Sequence, residues 1–513
     1  IGVSRGLGDV YKRQIQTKSI VKQTGDLVEN YIIPAGSMII PNLQPEAPLI
    51  AAILEFDAEI IESVLEEERR QRLKNSSSIM YDTTAFNLTM MYGLEAVTVQ
   101  ENIQKNLTKW KPIEASVNVQ DDALMWAVNG IDDRSVAFAA RLMELGVEVR
   151  IIDKDALLSD QSLPRGSVVV IEMDNPDYED LSSVVSAIAS ELDLSVASIS
   201  SGFGAEELPD WGGEHFKLLE RPQIALMGHQ DFSSYDVGVS WWSLDHHLGI
   251  RHSMVNGSSL NYGDLRRYNT IIMPSGYLNL SDSEMAGLKE WVRQGGTLIA
   301  HNASSRSLSF ENGIGSVRQV SSTFDKSEEY NMDLQRELGA LNVEIDMEKT
   351  NDNKIDFDVE YPWEGSKNKY NKAQLEKRDE WQSLFMPSGS FVAGRIDDEH
   401  WLTYGSISTL PVLYANYPVL MTGNNSDAPV RIGELVDSDD ETYRSINWSD
   451  MPPKTDLNVR MSGLVWPEAS QRIANSAYIT RERIGRGQVI LFAGEPNFRG
   501  AALGTNRLWL NAV

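Results

Sequence analysis

From Arg221 onward the sequence alternates short apolar runs with amphipathic stretches, and that alternation constrains the fold more than any other feature. RPQIALMG predicts a buried strand running into a glycine-containing loop. SYDVGVSWWSLDHHLG predicts a helix with Val237, Trp241 and Leu244 on one stripe, and RHSMVN a short strand. RRYNTIIMPSGY predicts a further strand that opens at its C-terminal end on Ser275 and Gly276. In SDSEMAGLKEWVRQGG, Ser281 and Glu284 have capping-box spacing and the paired glycines end the helix. GGTLIAHNAS is the next strand. Strands alternating with helices imply a parallel, doubly wound sheet. Residues from about 306 to 380 are polar and read as an irregular, solvent-exposed insertion. SGSFVAGRI, PVLYA and RGQVILFAG then resume the sheet, and GTNRLWLNAV closes the chain as a helix. One domain over 221–513 is therefore expected, with the strand near Gln488–Ala493 in the same sheet as those near Gln223–Met227, Thr270–Met273 and Thr297–Ala300.

Two smaller α+β regions precede it, 15–112 and 113–220. In the first, Tyr31 to Ile40 reads as a hairpin broken by Pro34 and Gly36, and Pro48 to Phe56 as a buried helix. IIESVLEEERRQRLK carries mixed charge at helical spacing and reads as a solvated face, followed by a linker at Asn75–Ser78. In the second, Arg134 to Leu145 reads as an amphipathic helix ended by Gly146, and GVEVRIID as a strand. Pro34-Ala35-Gly36-Ser37 matches Pro164-Arg165-Gly166-Ser167, 130 residues later. A β-branched run, an Asn near a Pro and a helix follow each. Either the chain carries a duplicated hairpin–helix unit or one common turn pattern occurs twice, since glycine supplies the turn's backbone angles without any chemistry.

A chain of 513 residues is too long for one core. Its net charge of −28 repels a phosphate backbone, so no nucleic-acid partner is expected. No apolar run is long enough to span a bilayer, so no transmembrane segment is expected. Cysteine is absent, which excludes disulfides, thiolate metal sites and a cysteine nucleophile. The opening SRGLGDVYKRQ has neither signal-peptide character nor apolar periodicity. It back-translates as a transposon-type sequencing adapter read in frame. Residues 1–14 are accordingly expected to be non-native and to pack against nothing, and the native chain is expected to extend further upstream.

Several phrases together resemble the C-terminal half of large bacterial zinc carboxypeptidases of the peptidase M14 family. They are YIIPAGSMIIPNLQP, YDTTAFNLTMMYG, WGGEHFKLLERPQIALM, LRRYNTIIMPSG, EWVRQGGTLIA, LVWPEASQRIANSAYI and GRGQVILFAGEPNFRGAALGTNRLWLNAV. The similarity runs over nearly all of residues 15–513 and rests on the order and number of the phrases. It implies an upstream peptidase domain as partner, a peptide substrate and zinc for the full-length enzyme, and a secreted or periplasmic location. It also implies a connecting region and then a flavodoxin-like domain of the class I glutamine amidotransferase-like type.

The resemblance transfers no catalytic residue to this chain. Zinc in such an enzyme is held by His and Glu at H-x-x-E spacing with a distant second His. None of the seven histidines has Glu three residues later, and no H-E-x-x-H occurs. The run Asp245, His246, His247 and His252 places adjacent histidines about 100° apart on a helix, poor geometry for a shared metal. No cofactor and no metal ligand is therefore expected in this chain. In the amidotransferase-like fold the nucleophile is a Cys after a strand; here His301 or Asn302 stands at the comparable strand end. Ser275 can be read as a turn serine, a ligand contact or a nucleophile, but it lacks a G-x-S-x-G elbow and an evident base. Open α/β sheets bind ligands at their strand ends, and Ser275, Tyr277, His301 and Asn302 would line that crevice. In EHWLTYG, His400 and Trp401 read as packing residues, and tryptophans such as Trp241, Trp291 and Trp509 as core. Two functional readings follow: a non-catalytic C-terminal portion of a zinc metallocarboxypeptidase, or a degenerate amidotransferase-like module that binds a small molecule or glycan. A third, an independent hydrolase using Ser275, predicts activity lost in Ser275→Ala.

Overall fold

The computed structural model describes residues 15–103, 107–112, 115–205, 208–229, 231–257, 265–341, 347 and 370–513. The proposed adapter segment, 1–14, lies outside them. The first region holds strands β1 (Ser19–Lys22) and β2 (Leu27–Glu29), helices α1 (Ala47–Leu54) and α2 (Glu62–Asn75), and strand β3 (Val97–Val99). Its sheet runs β2-β1-β3, so β3 is an edge. The second region holds β4 (Met125–Val128), α3 (Arg134–Leu145), β5 (Arg150–Ile152), β6 (Val168–Ile171), α4 (Leu181–Glu191), β7 (Ala197–Ile199) and β8 (Phe216–Leu218). They form an antiparallel sheet in the order β7-β4-β6-β5-β8. Gly146 ends α3 at φ 94°, the left-handed conformation its sequence position predicts.

The third region begins with β9 (Ile224–Gly228), α5 (Ser234–Trp242), β10 (His252–Asn256), β11 (Thr270–Met273), α6 (Asp282–Arg293), β12 (Thr297–His301) and α7 (Ala303–Leu308). Then follow α8 (Ser327–Leu341), α9 (Lys372–Ser383), β13 (Ser390–Ile396), β14 (Thr409–Tyr414) and β15 (Ser426–Ile432). The chain finishes with α10 (Pro467–Ile473), β16 (Ala477–Ile484), β17 (Gly487–Phe492) and α11 (Leu503–Ala512). One mixed sheet runs β10-β9-β11-β12-β17-β16-β15-β13-β14. Its first five strands are all parallel. Numbered along the chain, they lie in the order 2-1-3-4-5, the flavodoxin type of doubly wound sheet. β17 joins β12 as expected, with Leu298 beside Val489. With the right-handed crossovers general to such units, this strand order calls for the helices after β9 and after β11 to lie on opposite faces of the sheet. Ser281 caps α6 in a reciprocal capping box with Glu284.

Several expectations change. The segment around 306–380 is not an exposed irregular insertion where it is described: α8 and α9 are helices, and Leu334, Leu338 and Leu375 join the main core. Helix α1 forms but buries no residue, with Leu49 59 % exposed. Helix α2, expected to be solvated, buries Glu68 and Arg72 as an ion pair. Arg72 Nη1 donates to the carbonyls of Leu384 (3.0 Å) and Met386 (2.8 Å), and the Glu68 carboxylate accepts from the Ile79 N–H (2.7 Å) and the Ser78 hydroxyl (2.8 Å). Asn75 and Ser76 end that helix rather than linking regions.

The two P-x-G-S turns share geometry: Gly36 and Gly166 sit at φ 88° and 86°, and Ser37 and Ser167 each donate an N–H to the proline carbonyl. Neither turn closes a hairpin. Ile32–Ile33 pairs with Ile15–Gln16, and β6 pairs with β4 and β5. Ser167 enters a central strand, whereas no strand follows Ser37. Trp291 and Trp509 are core, but Trp241 is 42 % exposed and leaves the stripe assigned to it. No helix among the described residues is long and apolar enough to cross a membrane.

Candidate functional site

Four neighbouring parallel strands, β9, β11, β12 and β17, carry their C-terminal ends to one edge of the sheet. Asp236 comes from the first turn of α5, after β9, where Ser233 caps the helix by accepting the Asp236 N–H. Ser275 and Tyr277 follow β11, His301 ends β12, Asn302 joins β12 to α7, and Glu495 follows β17. Asp236 and Glu495, 259 residues apart in sequence, hydrogen-bond to each other. Asn302 Nδ2 donates to Glu495 Oε1 at 3.3 Å.

The turn at Asn302 is the sharpest local feature. With φ 51° and ψ −117° it lies in a conformation that costs a non-glycine residue energy. It is held by its own N–H donating to the Phe492 carbonyl at 3.1 Å, and by the Arg306 N–H donating to its carbonyl at 2.9 Å. The Ser304 hydroxyl, two residues on, donates to the Pro274 carbonyl and ties β11 to α7. A strained strand-to-helix turn of this kind is how a nucleophile elbow exposes its reactive side chain. Here that position holds a carboxamide, which has no nucleophilic lone pair to offer an acyl group, and the chain has no cysteine.

The electrostatics of the cluster are set by burial. Burial and the neighbouring charge of Asp236 push the Glu495 carboxyl up to about 7, and burial raises Asp236 as well. Two carboxyls in contact cannot both ionise cheaply, so the pair keeps one proton toward neutrality. His301 is 3 % exposed, and burial lowers its imidazole to about 3, so the ring is neutral. Its Nδ1 stands 4.0 Å from Asp236 Oδ1, too far for a hydrogen bond, and neither ring nitrogen has a protein partner. The Tyr417 ring leaves no room for a Cβ at position 494, next to Glu495, which glycine resolves.

Of the four residues expected from sequence, His301 and Asn302 stand at this cluster. Ser275 contributes its carbonyl, which accepts the Ser233 N–H at 2.8 Å and fixes the N-terminus of α5. Tyr277 is 87 % exposed and points its bulk to solvent. Asp236 and Glu495 were not anticipated; the available signal was an acidic residue in the capped first turn of a helix, SSYD, and another just beyond an apolar strand run, FAGEP. Elsewhere, His246 stacks on Trp242 at 4.0 Å, and His400 Nδ1 accepts the Leu402 N–H, so both have structural roles. Among the described residues, no three His, Asp or Glu side chains are grouped to hold a metal, so the residues present do not fit a catalytic zinc.

No family model matches the chain, and no curated protein matches it. Solved structures give distant likenesses. A β-galactosidase from Bacillus circulans sp. alkalophilus is 10 % identical over 56 % of this chain and 30 % of its own, with a TM-score of 0.28. An exo-β-1,4-mannosidase from an Opitutaceae bacterium is 10 % identical over 57 % of this chain and 34 % of its own, at 0.25. A ThuA-like protein from Bacteroides uniformis is 12 % identical over 56 % of this chain and 89 % of its own, at 0.27. The chain thus spans about a third of the length of these two glycosidases, and likenesses at these scores carry no argument about what it does.

Proposed function

We infer that this chain is a non-catalytic portion of a zinc-dependent metallocarboxypeptidase, with proteolysis belonging to an upstream peptidase domain. Its last region is read as a class I glutamine amidotransferase-like domain that has lost its chemistry. What carries this reading is Asn302: the strained strand-to-helix turn is kept, and the residue on it cannot act as a nucleophile. Zinc, the peptide substrate and a secreted or periplasmic location belong to the reading through the M14 resemblance. The coding sequence immediately upstream tests it. An in-frame H-x-x-E followed by a distant His is expected; a different enzyme class in that position overturns the reading.

A second reading is favoured by the cluster itself. Asp236, Glu495, Asn302 and the unpartnered His301 offer donors and acceptors at the sheet's ligand-binding edge. The domain would then serve as a binding module for a small polar molecule or glycan. Thermal-shift measurements against a panel of amines, amides and oligosaccharides test it: a stabilisation lost in Glu495→Gln supports it, and no stabilisation across the panel rejects it.

A further inference from the structure

A different face of the molecule carries its own inference. Between the first and second regions lies a groove of about 1900 Å³. Helix α1, APLIAAIL, borders it with Ile50, Ala51 and Leu54 and has no buried residue, an unusual condition for so apolar a helix. Strand β3 borders it too.

The hydrogen-bonding direction of β3 follows from its partner. The Lys22 N–H donates to the Asp26 carbonyl on the β2 side, so Lys22 turns away from β3. Lys22 lies opposite Val97, Val21 opposite Thr98 and Ile20 opposite Val99. By the alternation of antiparallel ladders, Thr98 bonds to β1, while Val97 and Val99 aim their N–H and C=O groups at the open edge. Among the described residues no strand pairs with that edge, which offers two donors and two acceptors to another strand, the arrangement that peptide-binding edges use.

Charge selects the occupant. The groove is bordered by Glu55, Glu95, Glu101, Asp132 and Asp155, and by no lysine, arginine or histidine among the described residues. Asp132 is engaged by Arg134, so the other four carry most of the field. We propose that this groove binds an extended basic peptide, which adds as a strand to the free edge of β3, sets apolar side chains against α1 and directs alternate lysines or arginines to the carboxylate rim. The proposal does not depend on the readings above, since none of these residues belongs to the strand-end cluster.

The test is a fluorescence-anisotropy titration of the whole chain with a short peptide alternating lysine and valine. Binding that weakens as salt rises is expected. The same peptide N-methylated along one edge keeps its charge but loses its donors, and about tenfold weaker binding is expected. Val99→Pro removes a donor that faces outward and leaves the β1 ladder intact, so the fold should persist while affinity falls by a similar factor. Equal affinity for the N-methylated peptide would reduce the effect to general attraction by an acidic protein and overturn the proposal. So would equal affinity for an alternating glutamate–valine peptide, or no binding at all. Concentration-dependent dimerisation abolished by Val99→Pro, without peptide binding, would assign the edge to a second copy of the chain instead.

Discussion

At the scale of single residues, Asn302 separates backbone strain from side-chain contact. Asn302→Gly and Asn302→Ala both lose the bond to Glu495, so their difference reports the backbone alone. In an ordinary helix alanine is the more stable; at φ 51°, ψ −117° the order should invert, with the glycine variant ahead by about 1–2 kcal/mol in denaturant unfolding. A lower midpoint for the glycine variant would show the turn to be unstrained. Glu495 gives the pH prediction. Its carboxyl is raised to about 7 in the folded state from an ordinary value of 4.5, so the folded protein holds a proton that the unfolded chain has released. Stability should therefore fall as pH rises from 4.5 to about 7 and level off above. Glu495→Gln removes that loss while retaining an acceptor for Asn302. Its melting temperature should rise relative to the parent between pH 5 and about 8, and a constant difference across that range would deny the shift. The sequence made His301 and Asn302 legible, because an apolar β-branched run announces where its strand ends. Asp236 and Glu495 were not legible, because an acidic residue in a helix's first turn or just after a strand is ordinary local chemistry. Only the 2-1-3-4-5 strand order brings those two together.

At the scale of elements, α2 shows what charge patterning conceals. ESVLEEERRQRLKN has the composition of a solvated helix, yet one i,i+4 pair, Glu68 with Arg72, faces inward. Burial opposes the Glu68 carboxylate, but the Arg72 guanidinium, the Ile79 N–H and the Ser78 hydroxyl outweigh it and hold its proton affinity below the usual value. Removing Arg72 leaves that carboxylate buried without its cation and two carbonyls without a donor. Arg72→Met should cost about 3–5 kcal/mol by chemical denaturation, whereas Arg70→Met, on the exposed side of the same helix, should leave the midpoint unchanged. Equal effects would mean that α2 is held by its backbone alone. The same limit on pattern reading applied to α8, where Leu334 and Leu338 make a helical stripe diluted by Glu and Asp around them. Parallel strands escaped it: TIIM and TLIAH are buried on both faces, so the apolar run itself is the signal.

At the scale of the whole molecule, buried connections join the regions. Arg507 in α11 is 3 % exposed and donates to the Gly130 carbonyl (2.9 Å), the Asp132 carbonyl and the Asp133 carboxylate (both 3.1 Å), fastening the last helix to the second region. Gly130 and Gly166 approach so closely there that a Cβ on Gly130 would lie 2.2 Å from the Gly166 carbonyl carbon. Such a body can orient a ligand or a neighbouring domain, but orientation alone provides no Lewis acid and no activated water. A catalytic zinc typically needs about three protein ligands and an open position. The described His, Asp and Glu side chains form no such group. Titrated with zinc and assayed for release of C-terminal residues from peptides, this chain should bind no stoichiometric metal and release nothing. Fused to the peptidase domain proposed upstream, it should accompany chelator-sensitive activity. Stoichiometric zinc together with peptide release by the chain alone would place the catalytic centre within these 513 residues and overturn the non-catalytic assignment.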